Sequence, residues 1–272
     1  MLENSVNGEH TYACYDLTSD DNLVDELASI VRDLYVDDLA LSSALVEAAK
    51  GLDSVCDESA IAKVIDEVAI AVIPQVDPQS KVPKHLQVPR NEVAEVLALY
   101  VLEQIHNFSV PSSRIRNKEV SGLPSRGLDV LGLTPNSAVV LTEVKASSST
   151  SSPPAVVHTA RDSMHAETLR RLNNRESVLG ELHWALKHAK SEAREATARA
   201  LLLHGLSKAP TPTVAPVLVR AAGTYKPSDF GNFANPSKEF GQSPIRFAVI
   251  RLPGTLEDFA AVVYARAAEQ AA

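Results

Sequence analysis

The sequence predicts an α/β protein in which a mixed sheet is flanked by helices and preceded by an acidic, mostly helical region. Three observations carry this. Two apolar arms, Leu128 to Thr134 and Ala138 to Ala146, flank a Pro-Asn-Ser turn and read as a β-hairpin. Buried-type strands follow at Val214 to Ala222 and Ile245 to Leu252. Segments of helical period stand before, between and after these strands. At 272 residues and 45% hydrophobic content the chain suits one large domain or two modest ones. Charge divides it. Residues 1–80 hold 17 acids and 3 bases, residues 81–272 hold 17 acids and 23 bases, and the net charge is −8. We therefore read 1–80 as an acidic N-terminal region and 81–272 as the part that carries the hairpin and faces phosphates.

Taken in order, Thr11, Tyr12 and Tyr15 suggest a short first strand. Leu23, Leu27, Ile30, Val31, Leu34 and Leu41 form a helical stripe. Ser42 or Ser43 then caps a helix through Ala49, and a third helix runs from Asp57 to Ile73, stopped by Pro74. Pro74, Pro78, Pro83 and Pro89 mark a connector. Asn91 caps a helix to about His106 with Val93, Val96, Leu97, Tyr100 and Val101 on its core face. Glu92 and Glu95 share a side of it near the N-terminus. Arg114 to Val120 reads as a strand whose Arg114, Arg116 and Lys118 alternate. After the hairpin, Ser147 to Pro154 reads as a flexible loop suited to gating a polymeric substrate. His158 to Leu206 is helical, with Arg170, Arg171, Arg175 and Arg199 among interspersed acids as candidates for contacting a nucleic-acid backbone. The aromatics of Gly223 to Ser243 either pin a long loop to the core or stack on bases, and Thr255 caps a final helix.

Several function classes are excluded. The histidines lack zinc spacing, and there is no phosphate loop of Walker type and no serine nucleophile elbow. Cys14 and Cys56 are far apart, which fits a reducing compartment. With neither a leader pattern nor a membrane-length apolar run, a cytoplasmic protein without membrane contact is expected.

The chemistry concentrates on the hairpin. Glu143 and Lys145 are two apart and share a face of their strand. If Pro135, Asn136 and Ser137 form a three-residue loop, Thr134 pairs with Ala138 and Asp129 falls opposite Glu143. Burying such charges costs several kcal/mol per ion unless partners compensate. Two facing carboxylates repel and favour a cation between them, and oxygen ligands suit Mg²⁺ or Mn²⁺.

The pattern G-x-D, turn, apolar-E-x-K resembles the active-site hairpin of the PD-(D/E)xK, restriction-endonuclease-like nucleases. With its flanks the resemblance narrows. The run R-N-E-V-A-E-V-L-A-L-Y-V-L-E (90–103), then R-I-R-N-K, R-G-L-D-V-L-G and L-T-E-V-K, and the closing 247–267 segment, are similar to the nuclease subunit of Hachiman-type anti-phage defence systems. The similarity covers roughly residues 80–272 and is patchy from 147 to 213. That family's helix opens on Gly-Glu, where this chain has Val93-Ala94-Glu95. The resemblance implies a restriction-endonuclease-like mixed sheet and Mg²⁺-dependent DNA cleavage, with Mn²⁺ as a substitute. It implies Asp129, Glu143 and Glu95 as metal ligands, Lys145 as the residue that orients or activates water, and a helicase-like protein partner. Glu92 is the alternative helix carboxylate. A stand-alone restriction or repair nuclease, or a non-catalytic nucleic-acid-binding subunit, are the competing readings. DNA against RNA, and nicking against double-strand cleavage, stay open.

Overall fold

Valine- and leucine-rich runs become strands and the segments of helical period become helices. The computed structural model describes residues 3–17, 22–50, 57–77, 79–83, 86–113, 115, 128–236 and 238–269. Arg114, Arg116 and Lys118 lie outside the described residues. The strands are β1 Glu3–Asn7, β2 His10–Asp16, β3 Ser109–Ser113, β4 Val130–Leu133, β5 Val139–Thr142, β6 Val144–Ser147, β7 Thr213–Val214, β8 Val217–Arg220 and β9 Arg246–Arg251. They form two mixed sheets, of order β1-β2-β9-β8-β6 and β3-β4-β5-β7. The helices are α1 Leu23–Tyr35, α2 Asp38–Ala49, α3 Glu58–Val72, α4 Val88–Tyr100, α5 Ala155–His158, α6 Met164–Leu172, α7 Arg175–His188, α8 Ser191–Gly205 and α9 Leu256–Glu269. None of the described helices is long and apolar enough to cross a membrane.

The chain forms two compact units, Met1–Ser19 with Leu97–Leu256, and Asp20–Val96 with Glu257–Ala272. These units partition the chain differently from its charge. The N-terminal strands belong with the sheets, because β2 lies parallel to β9 along Thr11–Asp16. In the helical unit, buried Arg32 bonds Asp38 Oδ2 at 2.5 Å, Asp66 Oδ1 at 3.1 Å and the carbonyl of Ala267, which ties α1 to α2, α3 and α9. The helical stripe expected to run on to Leu41 is interrupted. Asp37 takes a left-handed φ of 50° and accepts from Ala40 N–H, so Asp37 caps α2 in place of Ser42 or Ser43. Helix α3 matches its expected span, with Asp57 as cap and Ile73 ending it before Pro74. Helix α4 starts at Val88 rather than after Asn91 and passes into a π-helical turn, Val101–Ile105.

In the sheet unit, β4 and β5 form the expected hairpin. Thr134 N–H donates to Ala138 O at 2.9 Å, and Ser137 takes a left-handed φ of 63°, as a three-residue loop requires. Leu131, Leu133, Val139 and Leu141 share one face and pack on Val178, Leu182 and Ala185 of α7 and Ala200 of α8. The expected strand 214–222 divides into β7 and β8 around Pro216. Val214 N–H donates to Pro244 O, but the next donor on that side would be residue 216, and a proline has none. From the loop after β8, Phe230 and Phe233 pack on Phe247 and Phe240 packs on Phe233, all buried, so these aromatics pin the loop to the core.

Gly132 stands opposite Val140, and a Cβ there would lie 3.1 Å from the Val140 Cβ. Gly132→Val is expected to destabilise by about 1–3 kcal/mol through overpacking. In urea melts Val140→Gly, which removes the contacting Cβ, should cost less in the Gly132→Val background than in the parent; equal costs in the two backgrounds would remove this contact as the cause.

Candidate active site at the β4–β5 hairpin

Asp129 and Glu143 lie one step beyond the last paired residues of the hairpin. Val130 pairs with Thr142, so continuing the register sets Asp129 opposite Glu143. The bond from Thr134 to Ala138 fixes the alternation, and 129/143 falls on a non-hydrogen-bonded pair, where facing side chains approach most closely. Both carboxylates have the parity of Leu131 and Leu141, and hence face the helix-covered side. Both are buried, Asp129 to 4% and Glu143 to 7% exposure.

The second arm of the hairpin is not one strand. It divides at Glu143, with β5 in one sheet and β6, parallel to β8, in the other. Glu143 keeps its backbone tied, since its carbonyl accepts from Val217 N–H at 3.0 Å. Asp129 serves the same break from the other strand, because its Oδ2 accepts from Val144 N–H at 2.8 Å. A carboxylate accepting a main-chain N–H at a strand end substitutes for the ladder bond lost there. On the far side of the break Lys145 Nζ contacts Glu143 Oε1 at 3.0 Å. The three hairpin residues expected to converge are thus brought to one place.

Electrostatics there are strained. Burial first, and the Asp129 charge second, push the Glu143 carboxyl from 4.5 up to about 7, outweighing its ion pair with Lys145, and Glu167 of α6 adds to the rise. For Lys145, burial alone favours the neutral amine. The charge and hydrogen bond of Glu143, with Asp129 and Asp162, prevail and hold its pKa above the ordinary value. Lys145 is therefore an ammonium at neutral pH. Glu167, which pairs with Arg170, and Asp162 beside α6 are neighbours that the sequence pattern did not single out.

Two further anchors also escaped the sequence reading. Glu181 of α7 accepts from Leu128 N–H at 3.0 Å and pairs with Arg171 at 3.0 Å, which fixes the backbone beside Asp129. Arg220, fully buried, pairs with buried Asp229 at 2.8 Å and donates to the carbonyls of Ser147, Ser151 and Thr224. The serine-rich segment expected to be a flexible gate is thus anchored at both ends of its first turn. Neither anchor has a sequence signal, because each joins residues distant along the chain. Of the arginines considered for backbone contacts, Arg171 serves Glu181 and Arg175 donates to the carbonyls of His204 and Gly205. Arg170 and Arg199 keep most of their side chains in solvent.

The helix carboxylates separate in role. Glu92 is buried and accepts from the hydroxyls of Tyr35 and Tyr264, the latter at 3.0 Å. Glu95 is half-buried, and its charge helps to raise the pKa of both phenols, for which burial is the main cause.

Among the described residues no three His, Cys, Asp or Glu side chains gather as a metal cluster. The donor set on the hairpin is therefore the carboxylate pair. Two buried, mutually repelling oxygen donors fit a hard cation such as Mg²⁺, which binds through few carboxylates and keeps waters. A consequence can be measured without substrate. Because the folded Glu143 carboxyl holds its proton more tightly than the unfolded one, stability in EDTA should fall as pH rises from about 4.5 through about 7. Glu143→Gln should lack that component and be the more stable protein at pH 8. Parallel melts of the two with the same pH dependence would contradict this placement of Glu143.

Comparison with known proteins gives one family. The family model described as HamA matches residues 2–266, nearly the whole chain. Among curated proteins no match is found. The chain therefore belongs to the HamA family, the HamA subunit of Hachiman anti-phage defence, a system in which it has a partner.

Proposed function

We propose that the hairpin is the active site of a metal-dependent deoxyribonuclease, an endonuclease or nickase that works in Hachiman defence with a helicase-like partner. The observation that carries this reading is the buried Asp129–Glu143 pair with the Lys145 ammonium 3.0 Å from Glu143. A structural role alone leaves the rise of the Glu143 carboxyl to about 7 uncompensated. Asp129 and Glu143 would hold Mg²⁺, or Mn²⁺ in its place, and such an ion lowers the pKa of a bound water and neutralises charge growing on a phosphate.

The protein's own groups do the rest. Val144 N–H keeps Asp129 turned towards Glu143, and Glu181 fixes the strand that bears Asp129. Lys145 orients or activates the water and offsets negative charge on the scissile phosphate. Its side chain is 23% exposed, so the ammonium is reachable from solvent while the carboxylates behind it are sheltered. Glu95 remains the proposed helix carboxylate and Glu92 the alternative; Glu92 accepts from two tyrosine hydroxyls. Membership of a defence system with a partner favours this reading over a stand-alone restriction or repair enzyme.

Cleavage of plasmid and linear DNA with Mg²⁺ or EDTA, with the partner and ATP present, tests the reading. Glu143→Ala should abolish Mg²⁺-dependent cleavage. Lys145→Ala should keep metal binding yet lose about 100-fold or more in turnover, the scale of removing one aligned charge. Glu95→Ala that cleaves normally would take Glu95 out of the site. A folded, partner-bound Glu143→Ala/Lys145→Ala protein that cleaves as fast as the parent would refute the nuclease reading and leave the chain a nucleic-acid-binding subunit.

A further inference from the structure

Helix α2 reads D-L-A-L-S-S-A-L-V-E-A-A, apolar around most of its circumference, yet none of its residues is buried. A helix of that composition in a globular protein is normally covered on all sides. Leu39 is 81% exposed and Val46 50%. Its neighbour α3 buries Ile61 and Ala69 but leaves Val64, Ile70 and Val72 exposed, Ile70 to 67%. Single exposed apolar residues are ordinary, but five on two consecutive helices mark an interaction surface.

Charge identifies what kind of surface covers it. Residues 37–72 carry eight acids and two bases. Asp38, Glu47, Glu58 and Glu67 lie on the same two helices as the apolar side chains. A second copy meeting this surface with its own α2–α3 pair, as a two-fold dimer would, brings like charge against like charge. Nucleic acid and anionic lipid are disfavoured for the same reason. Exposed apolar side chains interspersed with carboxylates have the mixed composition of a protein–protein interface. We infer that the α2–α3 pair is the docking surface for the other protein of this defence system, through a face that is apolar and rimmed with lysine and arginine. The inference is independent of the hairpin chemistry, so failure of either leaves the other standing.

The test uses the full chain and its co-expressed defence partner, with affinity measured by calorimetry. Leu39→Gln/Val46→Gln/Ile70→Gln keeps good helix formers at exposed positions, so circular dichroism and the melting temperature should not change. Affinity for the partner should fall about tenfold or more, as when central apolar contacts are removed. Glu47→Lys/Glu67→Lys should weaken binding further and reduce its salt dependence. Partner affinity within about twofold of the parent for the triple variant, on a scale where removed anchors cost tenfold, would overturn the inference. So would a parent that does not bind the partner. A parent that self-associates, or binds DNA or anionic vesicles, through these three residues would overturn it in favour of that occupant.

Discussion

The hydrogen bond from Val144 N–H to Asp129 Oδ2 occupies the point where the two sheets part, and much of the site follows from it. Strand β5 belongs to one sheet and β6 to the other, so the main-chain ladder of the hairpin ends at Glu143. A buried N–H left unpaired there would cost about 1–3 kcal/mol. Asp129 satisfies it, and is thereby held beside Glu143 on the helix-covered face. Removal of a ladder bond and placement of a carboxylate beside Glu143 are one structural event. Glu143 at the junction then receives the burial and the neighbouring charge that raise its carboxyl, and Lys145 stands next along the strand to answer it.

The surrounding structure keeps the junction in place. Glu181 holds Leu128 from α7, and Arg220 gathers the carbonyls of Ser147, Ser151 and Thr224 around its pair with Asp229. Loss of one partner from such a buried pair costs about 3–5 kcal/mol, because the other charge is stranded. Two of the buried charge clusters of the sheet unit have different outcomes. Arg220 and Asp229 neutralise each other, while Asp129 and Glu143 share a sign, with the Lys145 ammonium paired to Glu143.

What was legible in the sequence is what local chemistry decides. The Pro-Asn-Ser turn set the register, and with it the meeting of Asp129 and Glu143, because a three-residue loop leaves no other pairing for Thr134. Asp57 and Pro74 bounded α3 for similarly local reasons. The division of the second arm at Glu143 was not legible, since it depends on β8 and on Pro216 some 70 residues away along the parallel register. The N-terminal strands join through β9, at the other end of the chain. Asp37 ended the α1 stripe by adopting a left-handed conformation that its sequence neighbours do not announce. Hydrophobic period placed the elements well, but it says nothing about partners distant in sequence.

The central claim is that Asp129 and Glu143 form one cation site across the hairpin. The most direct measurement is an anomalous difference map from crystals soaked in Mn²⁺. The account predicts a peak bonded to one oxygen of each carboxylate, lost in Asp129→Asn crystals. Saturating Mn²⁺ with no peak between the two carboxylates, or a peak held by other residues and unchanged by Asp129→Asn, would contradict it.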